Sequence, residues 1–297
     1  MSNGQIKSIV KDKKDLLKGL PDRPFVKLDY RFATNEELDL EEPKTFDEKI
    51  NWLKLYNRKP EYTKMVDKYE VRQYIKEKIG ADYLIPLYDV WDEVDEIDWE
   101  NLPAQFVLKT THDSGGVVIC EDKADIDIEA AKDTLHRSLC YNYFNEGREW
   151  PYKNVKPRII AEKNMNNGDE EFKDYKLFCF NGEMKMTQVL KDINSEEDVT
   201  QNFYDRDWNL MPMTEGGSPN SSEPIEKPDN YKEMIEIAET LSAGIPFVRV
   251  DLYEINQEVY FGELTFYPNK GQNTFEPEEY NNILGSWLKL PDQKVEN

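Results

Sequence analysis

Histidine and cysteine are scarce in this chain of 297 residues, which contains two histidines and three cysteines. His112 and His136 are too few for a multi-histidine metal site, and a Ser-His-Asp triad could use only one of them. The cysteines are odd in number and lack the spacing of metal ligands. We therefore expect buried free thiols in a reducing cytoplasm at all three positions, which are Cys120, Cys140 and Cys179.

Positive charge and long apolar runs are also lacking. The chain has 38 lysines and arginines against 60 aspartates and glutamates, which gives a net charge of −22. A nucleic-acid binder needs a basic footprint, so we expect no nucleic-acid partner. No run approaches the roughly 20 apolar residues of a membrane-spanning helix, and the N-terminus has no apolar secretory segment. The length predicts a globular protein of about two domains, and we expect no membrane span.

Helical signals dominate the first part of the chain. Thr45 and Glu48 form a capping-box pattern that predicts a helix over 46–56, and Gly80 is expected to end a second helix over 62–79. Strand patterns linked by short turns follow, and this order predicts an α+β fold or a mixed α/β arrangement. The strands are predicted at 84–91, 104–111, 117–120, 158–162, 174–180, 183–190 and 203–211. Helices are predicted over 127–144 and 231–243, and a surface loop over 213–229. A helical patch over 6–20 is expected before a Pro21-Asp-Arg-Pro break.

A hairpin near the C-terminal end is the most informative feature. Apolar segments rich in Val, Phe and Tyr flank the polar turn at 254–258, a pattern that predicts two antiparallel strands. A turn centred on Asn256 and Gln257 places Asp251 opposite Glu263, or one residue away. Facing side chains on paired strands have Cβ atoms roughly 5 Å apart, so two carboxylates there would repel each other. A divalent cation removes the conflict, and oxygen ligands suit Mg²⁺; the alternative is an exposed hairpin with solvated acids.

Two lysines on predicted strands are candidate phosphate ligands. Lys109 ends a strand before the loop 110–116, whose Ser-Gly-Gly backbone could form an anion nest. Lys176 lies within an apolar strand, where an unpaired ammonium is costly. The alternatives are an ordinary hairpin turn for the loop and an outward-facing Lys176 on an edge strand. Glu162 and Lys163 end another apolar strand, where the backbone could meet an adenine edge.

Seven short motifs occur in a fixed order over about residues 40 to 290. They are Pro43-Lys-Thr-Phe-Asp-Glu-Lys-Ile-Asn-Trp-Leu-Lys-Leu-Tyr56, Asp67-Lys-Tyr-Glu-Val-Arg72, Leu102-Pro-Ala-Gln-Phe-Val-Leu-Lys109, His112-Asp-Ser-Gly-Gly116, Asp174-Tyr-Lys176, Arg249-Val-Asp-Leu-Tyr253 and Phe261-Gly-Glu-Leu-Thr-Phe-Tyr-Pro268. Their order resembles the ATP-grasp superfamily. The motifs themselves resemble its TupA-like branch, which is found with bacterial surface-polysaccharide and teichuronopeptide genes.

The resemblance implies an ATP-grasp fold, in which two α+β subdomains clasp ATP. A mostly helical N-terminal segment over 1–60 would come first. A subdomain over 61–162 would carry the lysine strand and the Gly-rich lid. The C-terminal subdomain over 163–297 would carry the magnesium-binding hairpin.

The resemblance also implies roles for individual residues. Lys109 and Lys176 would contact the ATP phosphates, and Arg249 would stabilise an acyl-phosphate and the tetrahedral intermediate; these three are the expected catalytic residues. Magnesium would be held by Asp251, Glu263 and Thr265. The remaining nucleotide-binding residues would be His112, Ser114, Gly115 and Gly116 in the lid, Glu162, Lys163 and Met165 at the adenine and ribose, and Asp174 beside Lys176.

The sequence departs from the pattern of the superfamily at two positions. Thr265 stands where many members carry asparagine, which makes a second magnesium ion less secure, and Asn269 in the following loop is the alternative ligand. Asp113 stands in the lid where a glycine is expected. A carboxylate there would repel phosphate by about 4 kcal/mol at roughly 4 Å and an effective dielectric constant near 20. We expect Asp113 to form a turn and to face solvent.

The activity implied is that of an ADP-forming, ATP-dependent carboxylate–amine ligase that works through an acyl-phosphate, with ATP and Mg²⁺ as cofactors. Its partners would be small molecules or glycan precursors, and the branch suggests the attachment of an amino acid or peptide to a uronic acid. One alternative is a glycosyltransferase, for which Asp125-Ile-Asp127 and Asp205-Arg-Asp207 match an Asp-x-Asp metal motif in letters. A second alternative is a nucleotide-binding scaffold without chemistry.

Overall fold

Two main antiparallel sheets with helices packed around them make up the described part of the protein. The computed structural model describes residues 19–165, 173–191, 200–221 and 224–292. The α+β class is confirmed. The helical patch expected over 6–20 lies almost wholly outside the described residues. Among the helices in these ranges, none has both the length and the apolar character that crossing a membrane requires.

From residue 19 onwards, where the description begins, four helices precede the first strand: α1 (Asp22–Thr34), α2 (Phe46–Tyr56), α3 (Glu61–Val66) and α4 (Val71–Lys78). The capping box at the start of α2 is confirmed, with Thr45 and Glu48 bonded to each other's backbone N–H groups. Helix α1 was not predicted, because Pro21 and Pro24 suggested a break. Proline is tolerated in the first turn of a helix, where its missing N–H is not needed.

The prediction of one continuous helix over 62–79 was wrong. The carboxylate of Asp67 accepts hydrogen bonds from the backbone N–H groups of Tyr69 (2.8 Å) and Glu70 (3.2 Å), and it pairs with Arg158 at 2.9 Å. An aspartate that bonds to the local backbone competes with the helical bonding pattern. Helix α3 therefore ends at Val66, and the chain turns before α4 begins.

The N-terminal sheet has four strands: β1 (Leu87–Trp91), β2 (Phe106–Thr110), β3 (Val117–Cys120) and β4 (Ile159–Lys163). They lie in the order β1-β4-β2-β3, and each neighbouring pair is antiparallel. Helix α5 (Ile128–Leu139) covers this sheet and is followed by the short helix α6 (Phe144–Gly147). The helix predicted over 127–144 is thus interrupted, at the point where the carbonyl oxygens of Ser138 and Tyr141 turn towards His112.

The C-terminal sheet has six strands in the order β11-β10-β5-β6-β7-β8. Their bounds are β5 (Asp174–Phe180), β6 (Glu183–Lys191), β7 (Thr200–Asp205), β8 (Leu210–Met211), β10 (Phe247–Ile255) and β11 (Glu258–Thr265). Left-handed residues make both tight turns, Asn181-Gly182 with φ of 52° and 85° and Asn256-Gln257 with φ of 54° and 64°. These are the primed turns that suit two-residue hairpins, and both hairpins were predicted.

Three smaller elements complete the C-terminal half. Helix α7 (Tyr231–Ser242) packs on the six-stranded sheet as expected. The segment predicted as a loop over 213–229 contains a two-residue strand, β9 (Thr214–Glu215), which pairs with β12 (Phe275–Glu276). Helix α8 (Glu279–Trp287) was not predicted.

Helix α2 packs directly against the C-terminal sheet. The ring of Phe46 lies 5.0 Å from that of Phe247 on β10, 5.9 Å from that of Phe180 on β5 and 6.2 Å from that of Phe275 on β12. The apolar side of α2 and the inner faces of β5 and β10 therefore share one hydrophobic core. The domain boundaries at 60 and 162 stay a prediction.

The cysteine prediction was correct at two positions and wrong at the third. Cys120 and Cys179 are buried free thiols, whereas Cys140 is exposed. Cys140 is apolar in its sequence context, but it follows the last turn of α5 on the solvent side. Neighbouring apolar residues do not reveal which side of a helix end faces solvent.

Helix α8 approaches the start of α2 so closely that it requires a glycine. A Cβ atom at Gly285 would lie 2.2 Å from the carbonyl oxygen of Lys44 and 2.7 Å from the carbonyl carbon of Thr45. We predict that Gly285→Ala lowers the free energy of unfolding by about 2 kcal/mol, because overpacking outweighs the helix propensity of alanine. Urea denaturation checks this against the exposed neighbour Ser286→Ala. A more stable Gly285→Ala protein would show that α8 does not pack here.

Candidate active site

Two adjoining cavities lie between the sheets. The first, of about 250 Å³, is lined by residues of both sheets, and the second, of about 180 Å³, opens beside it along the N-terminal sheet. Four residues line both cavities: Ile85, Lys109, Val117 and Tyr253. The two cavities therefore form one continuous cleft.

The predicted phosphate lysines both line the first cavity. The Nζ atom of Lys109 lies 2.9 Å from Oε2 of Glu162, whose Oε1 accepts from Arg72 at 2.9 Å. Lys176 lies on β5, the third strand of its sheet, and only 12% of its side chain is exposed. The alternative of an outward lysine on an edge strand was wrong. Lys109 and Lys176 thus reach the cavity from opposite sheets.

Lys176 is held by two carboxylates. Its Nζ atom lies 2.5 Å from Oδ2 of Asp174 and 2.9 Å from Oδ2 of Asp251. Burial raises the pKa of Asp174 to about 6, against the lowering effect of Lys176. Burial also lowers the pKa of Lys176, but Asp251 and Asp174 outweigh it and the net pKa lies above the ordinary value. Asp174 Oδ1 has no hydrogen-bond partner among the residues that the structure describes.

Asp251 lies directly opposite Glu263 in the β10–β11 register, which confirms the predicted pairing. The expected repulsion between them is absent because Arg249 lies between the two acids. Its guanidinium donates to both oxygens of Asp251 at 2.7 Å, to Thr265 Oγ1 at 3.1 Å and to Glu263 Oε1 at 3.5 Å. Burial raises the pKa of Asp251, but Arg249 and Lys176 together hold it below its usual value.

The donor set on this hairpin fits a magnesium ion in part. Asp251, Glu263 and Thr265 offer oxygen atoms only, which suits Mg²⁺, although both oxygens of Asp251 already accept from cations. No cluster of three or more His, Cys, Asp or Glu side chains that could hold a metal occurs in the described ranges. Ligand oxygens would have to complete the shell. Asn269, the possible substitute, instead donates to Glu215 at 2.7 Å.

The lid loop is anchored by its side chains. The Nε2 atom of His112 lies 3.1 Å from the carbonyl oxygen of Ser138 and 3.0 Å from that of Tyr141, so this nitrogen is a donor. The imidazole ring does not line either cavity. Ser114, which is predicted to bind the nucleotide, lines the first cavity. Gly116 is required by close packing, since a Cβ atom there would lie 2.0 Å from Thr110 Oγ1, whereas Gly115 borders open space.

Asp113 forms a turn as expected, but it does not face solvent. It is 6% exposed and accepts hydrogen bonds from Thr110 Oγ1 (2.5 Å), from Gly116 N (3.3 Å) and from Ser138 Oγ. Burial raises its pKa, but the bonds from Ser138 and Thr110 outweigh this and the net pKa is below the ordinary 3.8. The carboxylate is absent from the cavity lining, so it does not oppose a phosphate there.

The second cavity is largely apolar. Val107, Ile119 and Ile85 form its walls, and the chain at the end of β4 closes it with Lys163, Asn164 and Met165. The predicted adenine-contacting residues Lys163 and Met165 therefore lie together at one apolar cavity. A flat aromatic base fits such walls, with backbone groups of the β4 end available for its polar edge.

Two basic residues of the first cavity were not predicted from the sequence. Lys68 and Arg72 line the first cavity, and the Nζ atom of Lys68 donates to the backbone carbonyl of Asp113. Burial lowers the pKa of Lys68, with Glu263 and Asp113 opposing that shift. Both residues belong to the motif at 67–72, which carried the family resemblance but was given no role. The signal available in the sequence was the presence of two basic residues in that motif.

The two Asp-x-Asp pairs lie outside the cleft. Asp127 caps α5 by accepting from Ala130 N at 3.0 Å, and Asp205 accepts from Asn209 within a turn. Neither pair lines either cavity. Their local hydrogen bonds account for them.

Comparison with known proteins identifies a family through its sequence model. A model of the TupA-like ATP-grasp family matches residues 48–289, while no curated protein matches the chain. One similar solved structure is D-alanine–D-alanine ligase from Helicobacter pylori, with 14% identity, a TM-score of 0.43 and coverage of 82% of this chain and 69% of that one.

Two further solved structures are similar over about the same part of the chain. For a RimK-domain ATP-grasp protein from Sphaerobacter thermophilus the identity is 12%, the TM-score 0.41 and the coverage 78% and 70%. For N5-carboxyaminoimidazole synthase from Aspergillus clavatus the identity is 11%, the TM-score 0.39 and the coverage 78% and 54%. The chain thus spans just over half the length of the synthase.

The two facing acids should respond differently to neutralisation. Asp251→Asn leaves Lys176 paired only with Asp174 and removes the charge that accepts two bonds from the buried Arg249. We predict a loss of about 3 kcal/mol in the free energy of unfolding. Glu263→Gln should cost less than about 1 kcal/mol, because 44% of its side chain is exposed. Chemical denaturation at pH 7 measures both. Equal losses would contradict the assignment of Asp251 as the buried counter-ion.

Asp113 should stabilise the lid only when it is ionised. A lowered folded-state pKa contributes stability above the ordinary value of 3.8, and this contribution is lost as the pH falls through the folded-state pKa. We predict that Asp113→Asn is about 1–2 kcal/mol less stable than the native protein at pH 7 and that the difference shrinks below pH 3.8. Urea denaturation at pH 7 and below pH 3.8 measures the difference in the free energy of unfolding, with Asp95→Asn at an exposed position as control. A difference independent of pH would contradict this role.

Proposed function

Because the chain belongs to the TupA-like ATP-grasp family, we propose that it is an ADP-forming, ATP-dependent ligase that joins a carboxylate to an amine. One observation carries the proposal. A single cleft brings Lys109 and Lys176, from different sheets, together with the facing carboxylates Asp251 and Glu263. Cations that can pair with phosphate and acids that can share a metal are the parts that phosphoryl transfer requires.

The nucleotide occupies both cavities. Its base lies in the apolar cavity against Met165 and the backbone after β4, and its phosphates lie in the polar cavity. Lys109 and Lys176 pair with the phosphates, and Lys68 adds a third ammonium beside the lid. Ser114 and the open backbone at Gly115 face the phosphates from the lid side. The other lid side chains are committed to internal hydrogen bonds and hold the loop in shape.

The reaction has two steps. A carboxylate oxygen of the first substrate attacks the γ-phosphorus of ATP, the bond from that phosphorus to the bridging oxygen breaks, and ADP leaves. The amine nitrogen of the second substrate then attacks the acyl carbon, the bond from that carbon to the phosphate oxygen breaks, and phosphate leaves as the nitrogen loses its proton. Both steps gather negative charge on oxygen, which positioned cations stabilise.

Arg249 and the hairpin acids form the electrostatic centre of this scheme. Asp251, Glu263 and Thr265 would hold magnesium, which supplies neutralisation of phosphate charge when it is bound. Arg249 is fixed by two bonds to Asp251 and extends towards Thr265, so its orientation is set before substrate arrives. A fixed guanidinium is suited to an acyl-phosphate or a tetrahedral oxyanion.

The substrate class follows from the branch of the family and not from the cleft. We propose an amino acid or peptide as one substrate and a uronic acid of a surface-glycan precursor as the other, joined in the cytoplasm. The glycosyltransferase alternative loses support because both Asp-x-Asp pairs lie away from the cleft. Acidic surfaces elsewhere on the chain, with a net charge of −22, do not favour nucleic acid as a partner.

The products of ATP distinguish this proposal from the alternatives. We predict that ADP and phosphate form in equal amounts when an amino acid and a uronic acid are both present, and that Glu263→Gln reduces this release at least tenfold while the protein stays folded. A coupled ADP assay with phosphate detection, screened over amino acids crossed with uronic acids, measures both. Formation of AMP and pyrophosphate would contradict an acyl-phosphate mechanism. Turnover of a sugar nucleotide without ATP would favour the glycosyltransferase.

A further inference from the structure

Helix α2 buries three polar side chains on one face. Asp47, Asn51 and Lys54 are spaced four and three residues apart, so they lie in a row along the helix. Their exposed fractions are 1%, 0% and 1%. Polar groups buried to this degree are costly unless they are hydrogen-bonded. The hydrogen-bond partners of these three side chains therefore indicate their role.

All three side chains bond to one short segment, residues 269–273, which we name the post-hairpin turn because it follows β11. Lys54 Nζ donates to the carbonyl oxygen of Lys270 at 2.7 Å, and Asn51 Nδ2 donates to that of Gly271 at 2.8 Å. Asp47 Oδ1 accepts from the backbone N–H of Asn273 at 3.1 Å. The row thus bonds to the backbone of three residues within four positions.

The post-hairpin turn needs such support because its conformation is strained. Asn269, Lys270 and Gly271 are consecutive left-handed residues with φ of 47°, 61° and 68°. For residues other than glycine this conformation costs roughly 1–2 kcal/mol each. Strain of this kind persists only when the surroundings fix the backbone, and it tends to occur at functional sites.

The post-hairpin turn also borders the candidate active site. It begins four residues after Thr265, and Asn269 Nδ2 donates to Oε1 of the buried Glu215 at 2.7 Å. Burial raises the pKa of Glu215 to about 7, and the charge of Arg249 opposes that shift. The side chain of Lys270 reaches Glu146 at 3.1 Å, in the segment after the lid. The turn therefore links the end of β11 to Glu215 and to the segment after the lid.

We propose that Asp47, Asn51 and Lys54 are positioning residues of the active site, which act by fixing the backbone of the post-hairpin turn. The post-hairpin turn then holds the end of β11, which carries Glu263 and Thr265, and bonds through Asn269 to Glu215. The catalytic consequence rests on the proposed ligase function, whereas the hold on the turn does not. The helical segment before residue 60 is then part of the catalytic apparatus.

The helix itself supplies a matched control. Lys49 is also an α2 lysine, and its Nζ donates to two carbonyl oxygens, those of Gly285 and Leu288, each at 2.8 Å. Lys54 likewise donates to two, those of Gly147 at 3.0 Å and Lys270 at 2.7 Å. Lys49→Met and Lys54→Met therefore remove the same kind and number of bonds. Of the two lysines, only Lys54 bonds to the post-hairpin turn, through the carbonyl oxygen of Lys270.

Hydrogen–deuterium exchange and nucleotide kinetics on the full chain test the proposal. In Lys54→Met we expect amide exchange over 269–273 at least tenfold faster than in the native protein. We also expect kcat for ADP release at least tenfold lower, measured from Mg·ATP with mixed amino acids and D-glucuronate. The KM for ATP and the Kd for Mg with the β,γ-imido analogue of ATP should stay within threefold. Lys49→Met should leave all of these unchanged, and Asn51→Leu should repeat the Lys54→Met pattern if that variant fails to fold.

The outcomes separate this inference from the proposed function. Native exchange over 269–273 in both Lys54→Met and Asn51→Leu overturns the hold on the turn. Faster exchange with native kcat overturns the catalytic role, because the contacts would then be structural only. If the native protein fails to bind the ATP analogue, the proposed function is overturned, while the exchange comparison still decides whether α2 holds the turn.

Discussion

The buried carboxylate of Asp251 is the constraint on which the cleft depends. An ionised acid that is 1% exposed is tolerated only with counter-charges at bonding distance, and Arg249 and Lys176 supply them at 2.7 and 2.9 Å. These partners come from the same strand and from its neighbour β5. In the sheet register Asp251 faces Lys176 on one side and Glu263 on the other. One row across three strands therefore carries the charges that the proposed chemistry needs.

That row fixes the register of the central strands. Side chains alternate faces along a strand, so a slip of β10 by one residue would move Asp251 and Arg249 together to the apolar face and separate Asp251 from Lys176. Phe247 and Phe180 lie on the same face of these strands as the charged row and pack on Phe46 of α2, so the slip would also remove these aromatic contacts. Charge pairing and core packing thus specify a single alignment. The same charge pairs and core contacts that fix the strand register therefore also hold the proposed site rigid.

Features set by neighbouring residues could be predicted from the sequence, and features set by distant partners could not. The capping box at Thr45 and the facing of Asp251 and Glu263 depend only on local pattern, and both were correct. The break after Val66 depends on Asp67 and its distant partner Arg158, so one long helix was predicted instead. The position of His112 away from the cleft could not be predicted for the same reason. The carbonyl oxygens to which it donates lie at the end of α5, far from His112 in the sequence.

The charge balance of the first cavity explains how so acidic a protein could accept a polyanion. Its lining carries four basic side chains, Lys68, Arg72, Lys109 and Lys176, and four acidic ones, Glu162, Asp174, Asp251 and Glu263. Arg72, Lys109 and Lys176 form ion pairs with these acids, and Lys68 donates to the carbonyl oxygen of Asp113. The charges of the lining therefore balance, and the paired cations are spared the cost of lone burial. A triphosphate would have to compete with these carboxylates for the lysines, and it would leave an excess of negative charge. A divalent cation shared by the released acids and the phosphates would offset part of that excess, and the acids that now pair with basic side chains would become its ligands.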